Sequence, residues 1–308
     1  MVAGMILDLH THLWHSPDQL GPEIAAQVRA MFADRPDRLD AGPLAHEAAM
    51  EPVDMAVVLG FRSRYLGAEV PNELIAEYVQ RQPEKFIGFA AIDPTDPSYM
   101  SELERLPAMR LSGVTISPAN QDFHPADTRA MRLYEACEAM GLPVLVHHGT
   151  HLTPAAKLEY VQPHLFDEVA RSFGKLRLVI AHCGHPWIDE ALVLIGKHEH
   201  VYAEISDVVS RPWPLYNVLL MAHQVDVMEK LLFGSGFPYF TPQEAIETIY
   251  SLNRFTHSTG LPAVPREKLR GIVERDALAC LGLKRGNTVP STGRATTPYR
   301  SGVQETTS

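Results

Sequence analysis

Two histidines two residues apart stand near the start of this 308-residue chain, in the run Asp8-Leu-His10-Thr-His12. They come at the end of a short apolar segment that predicts a β-strand. Side chains alternate along a strand, so Asp8, His10 and His12 are expected on one face, with Leu9 and Thr11 on the other. Two imidazoles on one face can bind one metal ion at about 2.0–2.1 Å. The spacing therefore predicts a metal site at the end of this strand.

Three further histidines close later apolar runs. His147 and His148 end the run 143–148, and His182 ends the run 177–182. The carboxyl ends of parallel strands meet on one rim of a barrel, so these imidazoles can converge with the first pair. Histidines that converge on one rim are a donor set suited to a catalytic metal ion. The alternative is that each is a hydrogen-bonded core histidine, which is the ordinary explanation for any single one.

Eight β-rich runs alternate with helical patterns along the chain. The candidate strands are Met5–His10, Met55–Gly60, Phe86–Ile92, Gly113–Ser117, Pro143–His148, Arg177–His182, Val201–Ser206 and Leu231–Ser235. This order predicts an α/β fold, a single-domain (β/α)₈ TIM-like barrel. An open doubly wound sheet is the alternative, but no G-x-G-x-x-G or phosphate-binding loop follows any strand.

Helical patterns lie between these strands. The predicted helices are Thr128–Met140, Pro154–Phe173, Trp187–His198, Pro242–Phe255 and a closing helix at Arg266–Leu283. Thr241 and Glu244 predict a capping box at one helix start, and Thr153-Pro154 indicates another. Residues 285–308 are rich in Thr, Ser, Gly, Pro and Arg, which predicts a flexible tail after a barrel domain at 1–284. Docking of that tail on a partner subunit is the alternative.

Charge and cysteine content limit the partners. The formal net charge is −10 and the pI is near 5.8, which argues against nucleic acid or an anionic membrane as the main partner. Cys137, Cys183 and Cys280 form no CxxC pair, so a reducing cytoplasm is expected. The start of the chain does not read as a signal peptide, and no apolar run approaches the roughly 20 residues that span a bilayer. A small-molecule substrate is the expected partner, and a homodimer is compatible with the sequence.

The order of these motifs resembles the amidohydrolase-related family that includes aminocarboxymuconate-semialdehyde decarboxylase and the γ-resorcylate decarboxylases. The matching stretches are Ile6–His12, Gly141–His147, Leu178–Trp187, Val201–Ser206, Leu232–Ser235 and Ala279–Leu283. The similarity extends to about residue 284. It implies a metal-dependent enzyme that uses a divalent ion, with zinc expected and manganese as the alternative.

The resemblance implies a role for each matching residue. His10 and His12 correspond to the family's first-strand metal ligands, and His147 corresponds to its third ligand. His182 corresponds to the sixth-strand histidine, which orients substrate or shuttles a proton. At the eighth strand the family pattern F-G-S-D-x-P has an aspartate that contacts metal and substrate. That position is Gly236 in this chain.

Loss of this aspartate is expected to weaken proton transfer more than metal binding. Bound zinc lowers the pKa of water to about 7, whereas general acid–base catalysis contributes typically 10²–10⁴-fold. His182 can supply the proton transfer if it reaches the water. Glu204 and Asp207 are candidate substitutes, but strand alternation puts them on opposite faces, so at most one is expected to point inward. Ser235 is a third candidate, and Asp276, where relatives usually carry asparagine, is expected to serve packing.

Candidate substrate contacts follow the strands on the same rim. They are Trp14 after the first strand, Arg62 and Arg64 after the second, His185 after the sixth and Arg211 after the seventh. Arginines suit a carboxylate substrate, and tryptophan suits a planar one. A solvated surface charge is the alternative for each arginine.

Three functions stay open from the sequence. The first is metal-dependent hydrolysis of a small carboxylic-acid or lactone-like compound, in which His182 assists a metal-activated water. The second is metal-dependent, non-oxidative decarboxylation of an unsaturated or aromatic acid. The third is a catalytically inactive barrel, retained as a metal-binding scaffold or a partner subunit, which the glycine at position 236 keeps open.

Overall fold

Eight parallel strands form the centre of the protein, as seen in a computed structural model that describes residues 4–148 and 152–285. The strands are β1 Leu7–His12, β2 Met55–Leu59, β3 Phe86–Ala91, β4 Gly113–Ile116, β5 Val144–Val146, β6 Leu178–Ile180, β7 Val201–Glu204 and β8 Leu231–Leu232. They are hydrogen-bonded in chain order, each parallel to the next. The predicted eight strands and the single-domain TIM-like barrel are confirmed.

The segment that follows β8 closes the sheet against β1. Leu9 N donates to Phe233 O at 3.0 Å, Gly236 N donates to His10 O at 2.9 Å, and His12 N donates to Phe237 O at 3.0 Å. These bonds continue the ladder past the end of β8. They place Gly236 directly beside the first pair of histidines.

One extra residue in β1 interrupts the predicted alternation of side chains. Asp8 pairs with Ala56 of β2, but Thr11 already pairs with Val58, so three steps along β1 match two along β2. Such a β-bulge lets two successive side chains lie on the same side of the sheet. Leu9 therefore packs in the barrel interior, although His10 also points inward. The prediction that Leu9 lies on the opposite face from the histidines is wrong for this reason.

Twelve α-helices are present in the described ranges. They are α1 Pro22–Met31, α2 Pro43–Ala49, α3 Asn72–Val79, α4 Tyr99–Met109, α5 Pro118–Gln121, α6 Thr128–Met140, α7 Asp167–Ser172, α8 Ile188–Lys197, α9 Pro212–Gln224, α10 Pro242–Ser251, α11 Arg266–Val273 and α12 Ala277–Leu281. No helix in the described part of the chain is long and apolar enough to cross a bilayer. The predicted tail lies, apart from its first residue, outside the described residues.

Two helix starts were predicted from capping signals. The structure confirms one of them and contradicts the other. Thr241 accepts a hydrogen bond from Glu244 N at 3.3 Å, which confirms the capping box of α10. No helix starts at Pro154. The predicted helix 154–173 is broken into two 3₁₀ turns and α7, because Pro163 has no N–H to continue a helix.

The closing helix is also divided, into α11 and α12. Asp276 precedes α12 and accepts a hydrogen bond from Ala279 N at 3.0 Å, so it caps the helix rather than packing inside one. An aspartate at this position satisfies an otherwise unpaired N–H of the first turn. α12 packs its apolar face on the barrel interior, in a cluster with Leu7, Met55 and Leu232.

Candidate metal centre

A cavity of about 350 Å³ opens at the carboxyl ends of the strands. Five histidines line it, namely His10, His12, His147, His148 and His182. Its apolar wall includes Trp14, Ile24, Phe32, Phe61, Tyr239 and Phe240. The volume suits a small molecule. The carboxyl ends of the strands, where barrel enzymes place their chemistry, therefore carry the histidines predicted from the sequence.

The imidazoles gather around His10. Its ring centroid lies 4.9 Å from that of His12, 4.9 Å from that of His147 and 4.8 Å from that of His182. The Nε2 atoms of His10 and His12 are 3.1 Å apart. Two nitrogens that share an ion at 2.0–2.1 Å lie about 3.0–3.4 Å apart at ligand angles between tetrahedral and right. The spacing of this pair is that of two ligands of one ion.

Two overlapping sets of three histidines can hold a metal ion. Ligand atoms of His10, His147 and His182 all lie within 4.8 Å of one another. The set predicted from the sequence contains His12 in place of His182. His10 and His147 belong to both sets, so the structure brings the predicted ligands and the predicted catalytic histidine into one cluster.

His147 supplies an observation that bears directly on metal binding. Its Nε2 is buried and has no hydrogen-bond partner among residues 4–148 and 152–285. Burial lowers the pKa of His147 well below its ordinary value, and the neighbouring His10, His12 and His182 lower it further. A neutral imidazole with a buried, unpaired nitrogen is the form that coordinates a metal.

Glu204, at the end of β7, lies beneath the histidine cluster and is fully buried. Its Oε1 accepts from His10 Nδ1 at 3.0 Å, from His182 N at 2.8 Å and from Ser206 Oγ at 2.9 Å. Its Oε2 accepts from Ser206 N at 2.6 Å. Burial by itself raises the pKa of Glu204, but His10, His182 and these hydrogen bonds lower it to about 2. The carboxylate is therefore ionised inside the barrel.

The charge of Glu204 needs a cation nearby. Among the described residues, no lysine or arginine pairs with this carboxylate. The side chains beside it that can carry a positive charge are those of His10 and His182. A buried charge without a counter-charge is costly, so a cation held by the histidines would stabilise the arrangement. Together with the unpaired nitrogen of His147, this shows that the donor set fits a divalent ion.

His182 is presented by an unusual backbone. Both His182 and Cys183 adopt left-handed conformations, with φ of +56° and +49°. Left-handed backbone disfavours side chains by about 1–2 kcal/mol per residue, and such strain is often found at functional sites. The imidazole Nδ1 of His182 lies 2.8 Å from Ser206 Oγ and 3.3 Å from Ser206 O. Cys183 is buried in the outer core.

Gly234 and Gly236 both approach the cluster closely. A Cβ on Gly234 would lie 2.4 Å from Glu204 Oε2 and 3.1 Å from His10 Cβ, so no side chain fits there. Gly236 has φ +79°, and a Cβ there would make ordinary contacts of 3.4 Å with Ser206 Cβ and 3.5 Å with Asp207 N. The first glycine is required by space. The second is favoured by its backbone conformation and has room for a side chain.

The three candidate substitutes for the missing aspartate all lie close to the site. Asp207 lines the cavity and pairs with Arg211, whereas Glu204 lies below the histidines. The prediction that at most one of the two acids points inward is wrong. Asp207 has left the strand, with φ +57°, so strand alternation no longer applies to it. Ser235 lines the cavity, and its Oγ accepts from Phe237 N at 3.2 Å.

Of the predicted substrate contacts, Trp14 lines the cavity and the others do not. Trp14 Nε1 donates to Leu39 O at 3.0 Å, which fixes the indole in the wall. Arg62 pairs with Asp96 at 3.0 Å, and the backbone of Arg64 donates to Asp93 at 2.8 Å.

His185 and Arg211 stand together outside the cavity lining, with His185 Nδ1 3.4 Å from Arg211 Nη2. Burial lowers the pKa of His185, and the Arg211 charge lowers it further. Arg211 reaches the cavity only through its ion pair with Asp207.

Sequence reasoning missed part of the cavity wall. Residues between β1 and β2, including Ile24, Phe32 and Arg35, form one side of it. Asn120 and Tyr239 form other parts. The apolar spacing in α1 was the available signal, because Ile24 and Val28 are buried on one face of the helix. Nothing in the periodicity singles out Arg35.

A model of the amidohydrolase family matches residues 7–283 of the chain. No curated protein matches it. Among solved structures, an uncharacterised TIM-barrel protein from Bordetella bronchiseptica is 20% identical, with a TM-score of 0.71, covering 90% of this chain and 99% of that one. An amidohydrolase from Burkholderia multivorans with bound zinc is 15% identical, with a TM-score of 0.67, covering 91% and 100%.

A third structure is a 5-carboxyvanillate decarboxylase mutant from Novosphingobium aromaticivorans with bound manganese and a nitrobenzoic acid. It is 13% identical to this chain, with a TM-score of 0.63, covering 91% of this chain and 97% of that one. At such identities these structural similarities concern the fold alone.

Proposed function

Because this chain belongs to the amidohydrolase family and is an enzyme, we propose that it is a metal-dependent hydrolase acting on small carboxylic-acid or lactone-like compounds. The observation that carries the proposal is the cluster of His10, His12, His147 and His182 at one end of a cavity of about 350 Å³.

His10, His12 and His147 would hold a divalent ion, zinc in the first instance and manganese as the alternative. Such an ion supplies Lewis acidity, which activates a water molecule or a substrate carbonyl group at neutral pH. Solved structures of the same fold contain zinc in one case and manganese in another, which supports either metal.

His182 is the group that moves the proton in this proposal. Its Nδ1 is bonded to Ser206 Oγ at 2.8 Å, and Nε2 is the nitrogen that acts on the reacting groups in this proposal. A neutral imidazole in this position takes a proton from the attacking water and returns it to the leaving group. The position of Gly236 offers no carboxylate to share the task. Asp207 lines the same cavity, and its pairing with Arg211 keeps its carboxylate in place as a further polar group.

Non-oxidative decarboxylation is the second candidate, and the cavity wall favours it. Phe32, Phe61 and Phe240 line the same cavity as the histidine cluster. A planar acid could lie against these rings while its carboxylate faces the histidines. His182 would then take up a proton from solvent at Nε2 and deliver it to the carbon that loses CO₂, whereas in hydrolysis it accepts a proton from the attacking water.

Metal analysis of the purified protein tests the proposal first. We expect close to one zinc or manganese per chain by elemental analysis without chelator, and loss of that metal in His10→Ala. His164→Ala, whose imidazole pairs with Glu190 on the surface, is the matched control and should keep the metal. A chain that takes up neither metal after reconstitution would refute the proposal. With metal bound, trapped CO₂ from aromatic acids separates the lyase from a hydrolase acting on lactones.

A further inference from the structure

Glu204 lies where one buried carboxylate can act on two different histidines. It bonds His10 directly at 3.0 Å and reaches His182 through Ser206, whose Oγ lies 2.9 Å from Glu204 and 2.8 Å from His182 Nδ1. His10 is a proposed metal ligand, and His182 is the proposed proton carrier.

The hydrogen bonds around Glu204 indicate that its carboxylate is ionised. Four donors surround its two oxygens, from His10, His182 N, Ser206 N and Ser206 Oγ. An ionised carboxylate only accepts, and it has about four lone-pair sites. Oε1 faces three of these donors and Oε2 faces one, and each oxygen receives a backbone N–H that can only donate, which favours the ionised, acceptor-only carboxylate.

This acceptor-only group decides where the protons of both imidazoles lie. His10 Nδ1 must carry a proton to donate to Oε1, which leaves His10 Nε2 as a bare lone pair facing His12. Ser206 Oγ must use its own proton on Oε1, so it can only accept from His182 Nδ1. The carbonyl of Ser206, also beside that Nδ1, accepts as well. In the neutral imidazole, His182 Nε2 therefore carries no proton.

We propose that Glu204 is the positioning residue of this site, holding His10 and His182 in the tautomer that presents Nε2 to the metal and to the reacting groups. A carboxylate behind a ligand histidine fixes its ring orientation and raises its basicity, and loss of such a partner typically costs 10–100-fold in metal affinity. The metal-affinity part of this inference rests on the proposed function, whereas the tautomer part does not.

Two variants separate the two arms of the arrangement. Glu204→Met removes both acceptor oxygens at similar volume, so His10 Nδ1 and Ser206 Oγ both lose the group that accepts their protons. Ser206→Ala removes only the link to His182 and leaves the bond from His10 to Glu204 in place. Glu229→Gln, which neutralises an exposed acid paired with Lys268 and Arg275, is the matched control.

The first measurement is the tautomer state in metal-free protein at pH 8, by long-range ¹H–¹⁵N correlation spectra of ¹⁵N-histidine-labelled chains. We expect His10 and His182 to be protonated at Nδ1 in the wild type and in Glu229→Gln. Ser206→Ala should lower the Nδ1-protonated fraction of His182 alone, since only the longer bond to Ser206 O at 3.3 Å remains there, and Glu204→Met should lower this fraction in both histidines. Protonation of either histidine at Nε2 in the wild type would overturn the inference.

The second measurement is zinc affinity by competition with a chromogenic chelator. Glu204→Met should weaken binding 10–100-fold, and Ser206→Ala should stay within about twofold of the wild type. A folded Glu204→Met that binds zinc as tightly as the wild type would also overturn the inference. If Glu204→Met does not fold, the wild-type and Ser206→Ala spectra decide. A wild type that binds no zinc refutes the proposed function, and the spectra still test Glu204.

Discussion

His10 Nδ1 and Glu204 Oε1 lie 3.0 Å apart although they belong to β1 and β7, which are not neighbours in the barrel. The segment that follows β8 runs between them, and it contains Gly234. A Cβ there would come within 2.4 Å of Glu204 Oε2. The contact between this proposed metal ligand and its buried acid therefore requires a residue without a side chain at position 234.

Gly234→Ala should separate these two groups. The added methyl must displace Glu204 or His10, which also lies 3.1 Å from the new Cβ, and overpacking of a buried site costs about 1–3 kcal/mol. We expect lower stability in urea unfolding and at least tenfold weaker zinc binding. Gly260→Ala, which meets nothing within 4 Å, is the control. Equal zinc affinity in Gly234→Ala and wild type would show that the cluster tolerates the shift.

Gly236→Asp should restore a carboxylate beside the metal site. The new Cβ makes only ordinary contacts, but φ of +79° is a left-handed conformation, so about 1 kcal/mol of stability should be lost. We expect tighter metal retention during dialysis against chelator and a higher hydrolytic rate. Gly236→Ala carries the same backbone cost without the carboxylate and separates the two effects. Lower activity in Gly236→Asp than in Gly236→Ala, with both folded, would mean that this space is needed by substrate or water.

Zinc should stabilise the fold through His147. An ion that binds only the native state adds about 4 kcal/mol at 1,000 times its dissociation constant, so the unfolding midpoint should rise by several degrees. His147→Ala should lose most of this shift. His148→Ala, a buried neighbour that bonds Val146 O through Nδ1, should lower stability yet keep the shift. The unfolding midpoints are measured by differential scanning fluorimetry. If zinc raised the midpoint of His147→Ala but not that of His148→Ala, then His148 and not His147 would be the ligand.

His46 should make the metal-free protein less stable in mild acid. It is buried with Nδ1 2.8 Å from Tyr78 Oη and Nε2 2.8 Å from Thr11 Oγ1, and burial lowers its pKa from 6.5 to about 3. Between about pH 3 and pH 6.5, the unfolded chain therefore binds one proton more at this residue than the folded chain does. Stability is complete above pH 6.5 and falls as the pH drops, by up to about 1.4 kcal/mol per pH unit for this group.

The test compares wild type with His46→Gln in urea titrations at pH 7.5 and 5.5, both with chelator. Glutamine does not titrate. The free energy of unfolding of His46→Gln should therefore fall less between pH 7.5 and pH 5.5 than that of the wild type. The wild-type loss also includes other buried histidines, such as His148, whose pKa burial lowers to about 4. Identical losses in the two proteins would contradict the assignment.

Much of this architecture was predictable because barrel strands carry their own signals. Each strand is a short apolar run, and His147 and His182 come directly after such runs, so their meeting on one rim follows from parallel order. The helix at Thr128–Met140 was predicted to its ends, since Asp127 caps it and Gly141 follows it in a left-handed conformation.

The remaining features depend on contacts between distant parts of the chain. Glu204 was a candidate from its position after the seventh strand, but only closure of the barrel brings it to His10, 194 residues earlier. Phe32 and Arg35 follow α1, beyond the apolar spacing of that helix. The interruption of the helix predicted at 154–173 was readable from Pro163, which has no N–H to continue a helix.

The bulge in β1 makes the number of residues in that strand a functional property. With one residue more than its partner between Asp8 and Thr11, the strand directs Leu9 into the apolar core and His10 into the cavity. Deleting Leu9 would restore regular pairing and remove the side chain that fills this part of the core. Any variant library that shortens or lengthens this segment would therefore disturb the site even with both histidines retained. Only same-length substitutions in the segment leave the orientation of both imidazoles intact.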